Sequence, residues 1–311
     1  MKTGLLALFL LALLQLFALG QANHSPPAPA GLPASTVAPS VALTLGAIPE
    51  DQIRELIQKV AENDIENDKE QRDYTYTEHE AQRRLDGKGQ VTSNESNTYE
   101  VMMLYGEQVR RRIAHNDKPL SEKENAKEEQ KIQKVIVKRR DETEEQRKKR
   151  IDQENKDREE EREFVREVAD AYNFRLVEVA TLDGRETYVI DADPRPGFQP
   201  HHKDAKYLPK FKFRVWIDKA ETQWVKLHGE VIDTVSWGLF VARLHKGSLF
   251  EVAQTRVNDE VWLPKQVVFR LDAKLALLKN FTIEEQSTYR DYKKFRTDTK
   301  IVPLGKLEEK P

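Results

Sequence analysis

Alternation of apolar and polar side chains across residues 211–283 is the feature that most limits what this chain can become. Phe211, Phe213, Val215 and Ile217 fall on one phase; Lys212, Arg214, Trp216 and Asp218 fall on the other. Val225, Leu227 and Val231 oppose Lys226, His228 and Glu230 in the same way. Leu271, Leu275, Leu277, Phe281 and Ile283 oppose Asp272, Lys274, Leu278, Asn280 and Thr282. Successive side chains of a strand point to opposite faces, so this pattern predicts a sheet with one apolar and one wet face. Such a face is typical of antiparallel architecture. Strands do not alternate with helices here, which argues against a parallel, doubly wound sheet. The fold class is therefore α+β, and the apolar face must be covered by something.

A cover is legible at residues 50–63. Pro49 opens a helix whose Ile53, Leu56, Ile57, Val60 and Ala61 recur at helical spacing on one stripe. Strand signals follow it. Tyr74 to Arg84 reads as one long strand, Asp86-Gly87-Lys88-Gly89 as a turn, and Tyr99 to near Arg112 as its antiparallel neighbour. Phe174–Ala180 and Glu186–Ala192 flank an Asp183-Gly184 hairpin turn. Strands are further expected over 211–218, 223–234, 235–246, 249–257, 261–271 and 273–283, with a last run near Tyr289 to Phe295. The stretch from Val235 to Leu244 is apolar on both phases, as expected of a strand covered on both sides or touching a ligand.

Between these halves lies a segment of a different kind. Residues 121–174 contain no Gly and no Pro, and residues 138–163 hold a single apolar side chain, Ile151. Glu144 with Lys148, Glu145 with Lys149 and Glu154 with Arg158 have the favourable i, i+4 order. A helix that is polar all round projects into water. The segment 121–166 reads as a charged helical insertion or hairpin, with a break near Asp141 and Asp141 itself as the cap of the second helix. Phe164, Val165, Val168, Ala169 and Tyr172 return its far end to the domain. A partner-binding arm is the alternative to a merely solvated one.

The remaining organisation comes from composition. Residues 1–22 form a signal peptide: Lys2, an apolar run from Leu5 to Leu19, and small residues at Gly20 and Ala22. The run is short for a spanning helix, which needs about 20 residues. Residues 23–47, rich in Pro, Ala, Ser and Thr, read as a disordered linker. Residues 48–300 form a single domain, and 301–311 a tail. The chain has no cysteine, so it carries neither a disulfide nor the cysteine of a lipid anchor. The expected location is the periplasm. A net charge of −2 gives no case for nucleic acid.

Catalytic signatures are missing. There is no phosphate loop, dinucleotide turn or nucleophile elbow. His201-His202 with Asp204 has no third ligand at a recognisable spacing. His228 and His245 are expected on strands, on the wet face. No cofactor and no enzymatic reaction are expected.

Several strand phrases resemble a known group. Arg214-Val215-Trp216-Ile217-Asp218, Trp224-Val225-Lys226-Leu227 and the run from Val257 to Pro264, with Trp262-Leu263-Pro264, are similar to strand–turn–strand phrases of the LolA/LolB-like family. The phrase from Val231 to Gly247, with Ser236-Trp237-Gly238-Leu239-Phe240, resembles the outer-membrane lipoprotein-sorting proteins of acidobacterial type. This resemblance spans most of residues 50–296. It implies a half-open curved antiparallel β-barrel, capped by helices, whose concave face takes acyl chains or lipidated proteins. The long charged insertion departs from the compact members of the family and leaves room for an envelope protein partner. The inward residues expected to meet a ligand are Phe211, Phe213, Val215, Leu227, Val231, Phe269, Leu271, Leu275 and Leu277, with Trp237 and Phe240 near the mouth. Whether that face encloses a cavity or is packed solid is left open by the sequence.

Overall fold

The computed structural model describes residues 48–105, 107–237, 242–275 and 280–294. The expected signal peptide, linker and tail lie outside them. Strands β1 (Tyr74–Asp86), β2 (Val91–Leu104), β3 (Glu107–His115) and the two-residue β4 (Lys118–Pro119) precede two helices, and nine strands follow them. These are β5 (Tyr172–Leu182), β6 (Arg185–Pro194), β7 (Phe211–Asp218), β8 (Gln223–Val231), β9 (Val235–Trp237), β10 (Ala242–Leu244), β11 (Leu249–Val257), β12 (Val261–Leu275) and β13 (Phe281–Lys294). They form one antiparallel sheet in the order β4-β3-β2-β1-β13-β12-β11-β8-β7-β6-β5, with the β9–β10 hairpin paired to β12. The sheet is curved and open, as expected.

Register explains where the sequence reading needs amendment. The expected break between 261–271 and 273–283 falls elsewhere: β12 runs on to Leu275 and β13 begins at Phe281, so Leu271 meets Ile283, and Ala273 meets Phe281, across the β12–β13 hairpin. The shared phase of Leu271, Phe281 and Ile283 is thus a cross-strand pairing, not one continuous strand. Residues 235–246 split into β9 and β10, which pair with each other. The run from Tyr99 to Arg112 reverses at Tyr105, whose φ of 52° is left-handed, so that β2 pairs with β3. Alternation signals a strand's faces but not where it turns back.

Helix α1 (Glu50–Gln71) crosses the sheet diagonally. Near its start the Arg54 guanidinium donates to the Ala169 carbonyl, 2.7 Å away. Farther along, Asn63 donates to the Glu221 and Thr222 carbonyls between β7 and β8. At its end Asn67 and Gln71 both donate to the Trp262 carbonyl on β12, and Asn67 accepts the Trp262 amide. From Arg54 to Gln71 the helix rises roughly 25 Å, which matches about five strand spacings from β5 to β12. Its apolar residues Ile53 and Val60, with Leu56 and Ile57, join the core of the sheet. The helix outlasts the expected end at residue 63 because its last two turns dock through amide side chains, which an apolar-periodicity reading does not see.

The charged segment is a helical hairpin, with α2 (Glu122–Arg140) packed beside β3 and α3 (Glu144–Ala171) running into β5. The break falls at Asp141 as expected, but the cap of the second helix is Thr143. Its hydroxyl accepts the Gln146 amide while the Gln146 side chain accepts the Thr143 amide. The Ser121–Glu124 pair does the same for α2. Phe164, Ala169 and Ala171 are buried, so the hairpin's return end is part of the core, and α3 continues five residues past the expected end of the insertion at residue 166.

Asp64, between the apolar and amide-bearing parts of α1, accepts a hydrogen bond from the Trp224 indole at 2.7 Å and one from Gln223 at 3.3 Å. Burial raises its carboxyl from the ordinary 3.8 to about 6, against the indole bond, with Asp68 adding to the rise. The folded state therefore holds this proton more tightly than the unfolded chain does. The associated stability is complete below about pH 4 and is lost as the pH rises through about 6. Asp64→Asn keeps the acceptor without the charge. It should stabilise the protein at neutral pH by about 1–2 kcal/mol, a figure lowered for the water at the rim of the site, and give little gain near pH 4. Thermal unfolding at both pH values checks this; an equal loss at both would show that burial of the charge is not what destabilises the folded state at neutral pH.

Candidate ligand-binding face

Two rows of paired residues define the inner face. One runs Phe174, Ala192, Phe213, Gly229, Phe250, Phe269 from β5 to β12. The next runs Leu176, Ile190, Val215, Leu227, Val252, Val267 over the same strands. All of these apart from the glycine belong to one hydrophobic cluster, together with Phe211, Val231, Leu271, Phe281 and Ile283. Rings meet along it: Phe211 stacks on Phe213 with centroids 6.1 Å apart, and Phe213 meets Tyr172 at 5.3 Å and Phe250 at 6.0 Å, both edge-on. The Tyr172 hydroxyl is satisfied by the Leu208 carbonyl at 2.6 Å.

The outer face is charged. Asp191 on β6 takes ion pairs from Arg175 and Arg214 on the flanking strands, and Lys226 pairs with Glu251. His228 sits there too, half-buried, and burial lowers its pKa although Glu251 opposes the fall.

Both inner rows continue past β12 and change character. Phe269 pairs with Glu285, which pairs with Gln82, which pairs with Glu95. Val267 pairs with Ser287, which pairs with Glu80, then Asn97, then His115. Here Arg110 bridges Glu78 at 2.9 Å and Glu80 at 2.8 Å and lies 3.9 Å from the centre of the Tyr99 ring. Tyr76, Tyr289 and Tyr292 cluster beside it. Burial, with the Glu80 carboxylate next, pushes the Glu285 carboxyl up to about 7, although Gln82 donates to it at 2.8 Å. Burial also raises Glu78, against Arg110. One concave face is thus apolar over β5–β12 and polar, with a carboxylate excess, over β13–β3.

Of the predicted ligand residues, Phe211, Phe213, Val215, Leu227, Val231, Phe269 and Leu271 come together in the cluster. Trp237 and Leu275 lie on β9 and β12 at the end where the hairpin pairs. Phe240 and Leu277 lie outside the described residues. Sequence reasoning missed Phe250 and Gly229, which share the central row. It also missed the polar half, because β1 and β2 are polar on both phases. Gln254, next after Val252 on this face, is 3% exposed, and neither atom of its amide has a hydrogen-bond partner among the described residues. Among those residues no group of His, Cys, Asp and Glu is arranged to hold a metal ion, and no helix is long and apolar enough to cross a membrane.

Comparison with solved proteins gives matches of low identity and low TM-score. The chain is similar to a DUF1329 family protein from Desulfovibrio piger (10% identity, TM-score 0.29, 81% of this chain and 95% of that one). It is similar to a LolA superfamily protein from Nitrosomonas europaea (8% identity, TM-score 0.25, 80% and 94%). It is also similar to a structure described as an outer membrane lipoprotein-sorting protein domain, from Vibrio parahaemolyticus (11% identity, TM-score 0.30, 79% and 95%). No family model and no curated protein matches the sequence.

Gly229 is the point on this face with least freedom. A Cβ built there would lie 2.3 Å from the Phe250 ring, so the glycine makes room for the ring that meets Phe213. Gly229→Ala should displace Phe250 and cost about 1–3 kcal/mol, measurable by denaturant unfolding. Phe250→Leu in the same background should recover part of the loss. No loss in Gly229→Ala would mean the ring moves freely.

Proposed function

We propose that this chain is a periplasmic carrier that binds acyl chains, of free lipid or of a lipidated protein, on the inner face of its sheet. One observation carries the reading: the paired rows run without interruption from aromatic and aliphatic residues into a cluster of Glu, Gln, Arg and Tyr. An amphiphile has the same polarity profile. Its tail would lie along Phe213, Leu227, Phe250 and Phe269, and its polar end would meet Gln82, Glu285 and Glu80. Transfer of apolar surface from water supplies about 0.8 kcal/mol per CH₂. Gln254 offers an unused amide within the apolar half. The entrance would lie at the β9–β10 end of the sheet.

The cover sets the mechanism of exchange. α1 is tied by its amide side chains at the β8 and β12 ends and rests by apolar contacts and Arg54 elsewhere. Lifting its first half would open the face while the last two turns stay latched. Binding and release of this kind need no catalytic group. The expected export through a cleaved signal peptide places the protein where lipoproteins and lipids must cross an aqueous compartment.

Native mass spectrometry of protein purified from a bacterial periplasm, followed by lipid extraction, tests the reading. Acyl-chain lipid should co-purify. Leu227→Glu, in the middle of the second row, should lower lipid occupancy at least about tenfold with the near-ultraviolet signature of the fold retained. A clean mass with no uptake of added lipid would mean that side chains fill the inner face completely, and would end the carrier reading.

A further inference from the structure

The helical hairpin carries a charge pattern that the binding face does not explain. Residues 131–150, the end of α2, the turn and the start of α3, hold nine Lys and Arg against four Asp and Glu. Residues 151–170, the stretch of α3 returning to the sheet, hold four Lys and Arg against nine Asp and Glu. The arm is therefore an electrical dipole, net +5 at its free end and −5 along its return. Part of the tip charge is spent internally: Glu142 in the turn takes Arg139 at 3.1 Å and Arg150 at 3.1 Å, which fastens the two helices together. Arg140 and Lys149 pair with Asp141 and Glu145 but stay largely exposed. Lys134, Lys138 and Lys148 are exposed and show no ion pair among the described residues.

The second observation is independent of charge. Five large hydrophobic residues are exposed in the described structure, and three of them lie at this end: Val137 at 42%, Ile151 at 39% and Tyr105 at 51%. Tyr105 stands at the β2–β3 reversal and is within electrostatic reach of Arg140. Isolated exposed apolar residues need no explanation. Two aliphatic side chains set among unpaired lysines near the tip of a doubly capped hairpin, with Tyr105 of the β2–β3 reversal within electrostatic reach, match the requirements of an anionic bilayer surface. There apolar side chains enter the headgroup boundary and Lys stems extend to the phosphates. On the hairpin, the exposed large hydrophobic residues Val137 and Ile151 both lie within about two or three turns of the break, and none lies farther along the acidic return among the described residues.

We infer that the tip of the hairpin docks this protein on a membrane surface rich in anionic phospholipid. This goes beyond acyl binding and does not depend on it. The experiment is co-sedimentation of the intact protein with vesicles of phosphatidylglycerol in phosphatidylcholine, against vesicles of phosphatidylcholine alone, at low and high salt. Binding is expected to the anionic vesicles only and to fall with salt. K134Q/K138Q/K148Q should weaken it about a hundredfold, from about a fivefold share for each lysine at about 1 kcal/mol apiece. Val137→Asp and Ile151→Asp should each weaken it further. K123Q/K127Q/K156Q removes the same charge away from the tip and should leave binding within about twofold. Equal binding to both vesicle types, no binding at low salt, or equal loss in the two lysine triples would overturn the inference. The tip lysines are exposed, so unchanged unfolding midpoints are expected in every triple and separate a docking defect from a folding one.

Discussion

An open sheet with one apolar face cannot stand in water uncovered, and in this protein a single helix answers most of that demand. α1 reaches from the α3–β5 junction to β12 because its length matches the width of the apolar half. Its first half contributes Ile53 and Val60 to the cluster; its second half contributes hydrogen bonds to backbone groups at the strand ends. The division matters physically. Apolar contact is non-directional and tolerates sliding, whereas paired amide bonds such as Asn67 with Trp262 fix position and angle. One end of the cover is thus located by several amide bonds, and the other is held by apolar contact and the single side chain of Arg54.

The polar half of the face imposes its own constraint. Three carboxylates, Glu78, Glu80 and Glu285, share a half-buried region with one directly bridging guanidinium, Arg110. Burial first, and the neighbouring Glu80 carboxylate next, favour the protonated form of Glu285, whose carboxyl is raised to about 7. The tyrosines around Arg110 supply both ring faces and hydroxyls. Such a region is costly to maintain for stability alone, since a well-packed apolar replacement is often no worse, and it is continuous with the apolar rows.

Much of this was readable beforehand where side-chain period and burial coincide. The inward phase of β7, β8 and β12, the hairpin at Asp183-Gly184, the amphipathic start of α1 and the helical hairpin all follow from spacings of two or of three to four residues. The polar half was not readable, because Tyr76, Glu78, Glu80 and Gln82 alternate with residues just as polar, and only pairing with β13 shows which phase continues the core. Phe250 was passed over because its partner is a glycine, and the reason for that glycine is a ring on the neighbouring strand.

The sequence by itself determined the class of the fold, the existence of a one-sided sheet, the helix that starts its cover and the charge reversal along the arm. These are properties of local period and composition, carried by residues near one another in the chain. Tertiary structure decided which strands are neighbours, that β1 and β13 join the two halves into one face, and that Tyr105 stands beside the basic tip. Those relations link residues up to about two hundred positions apart, as with Gln82 and Glu285. No local pattern encodes them, because they are fixed only when strand pairing and the burial of the whole face are satisfied together.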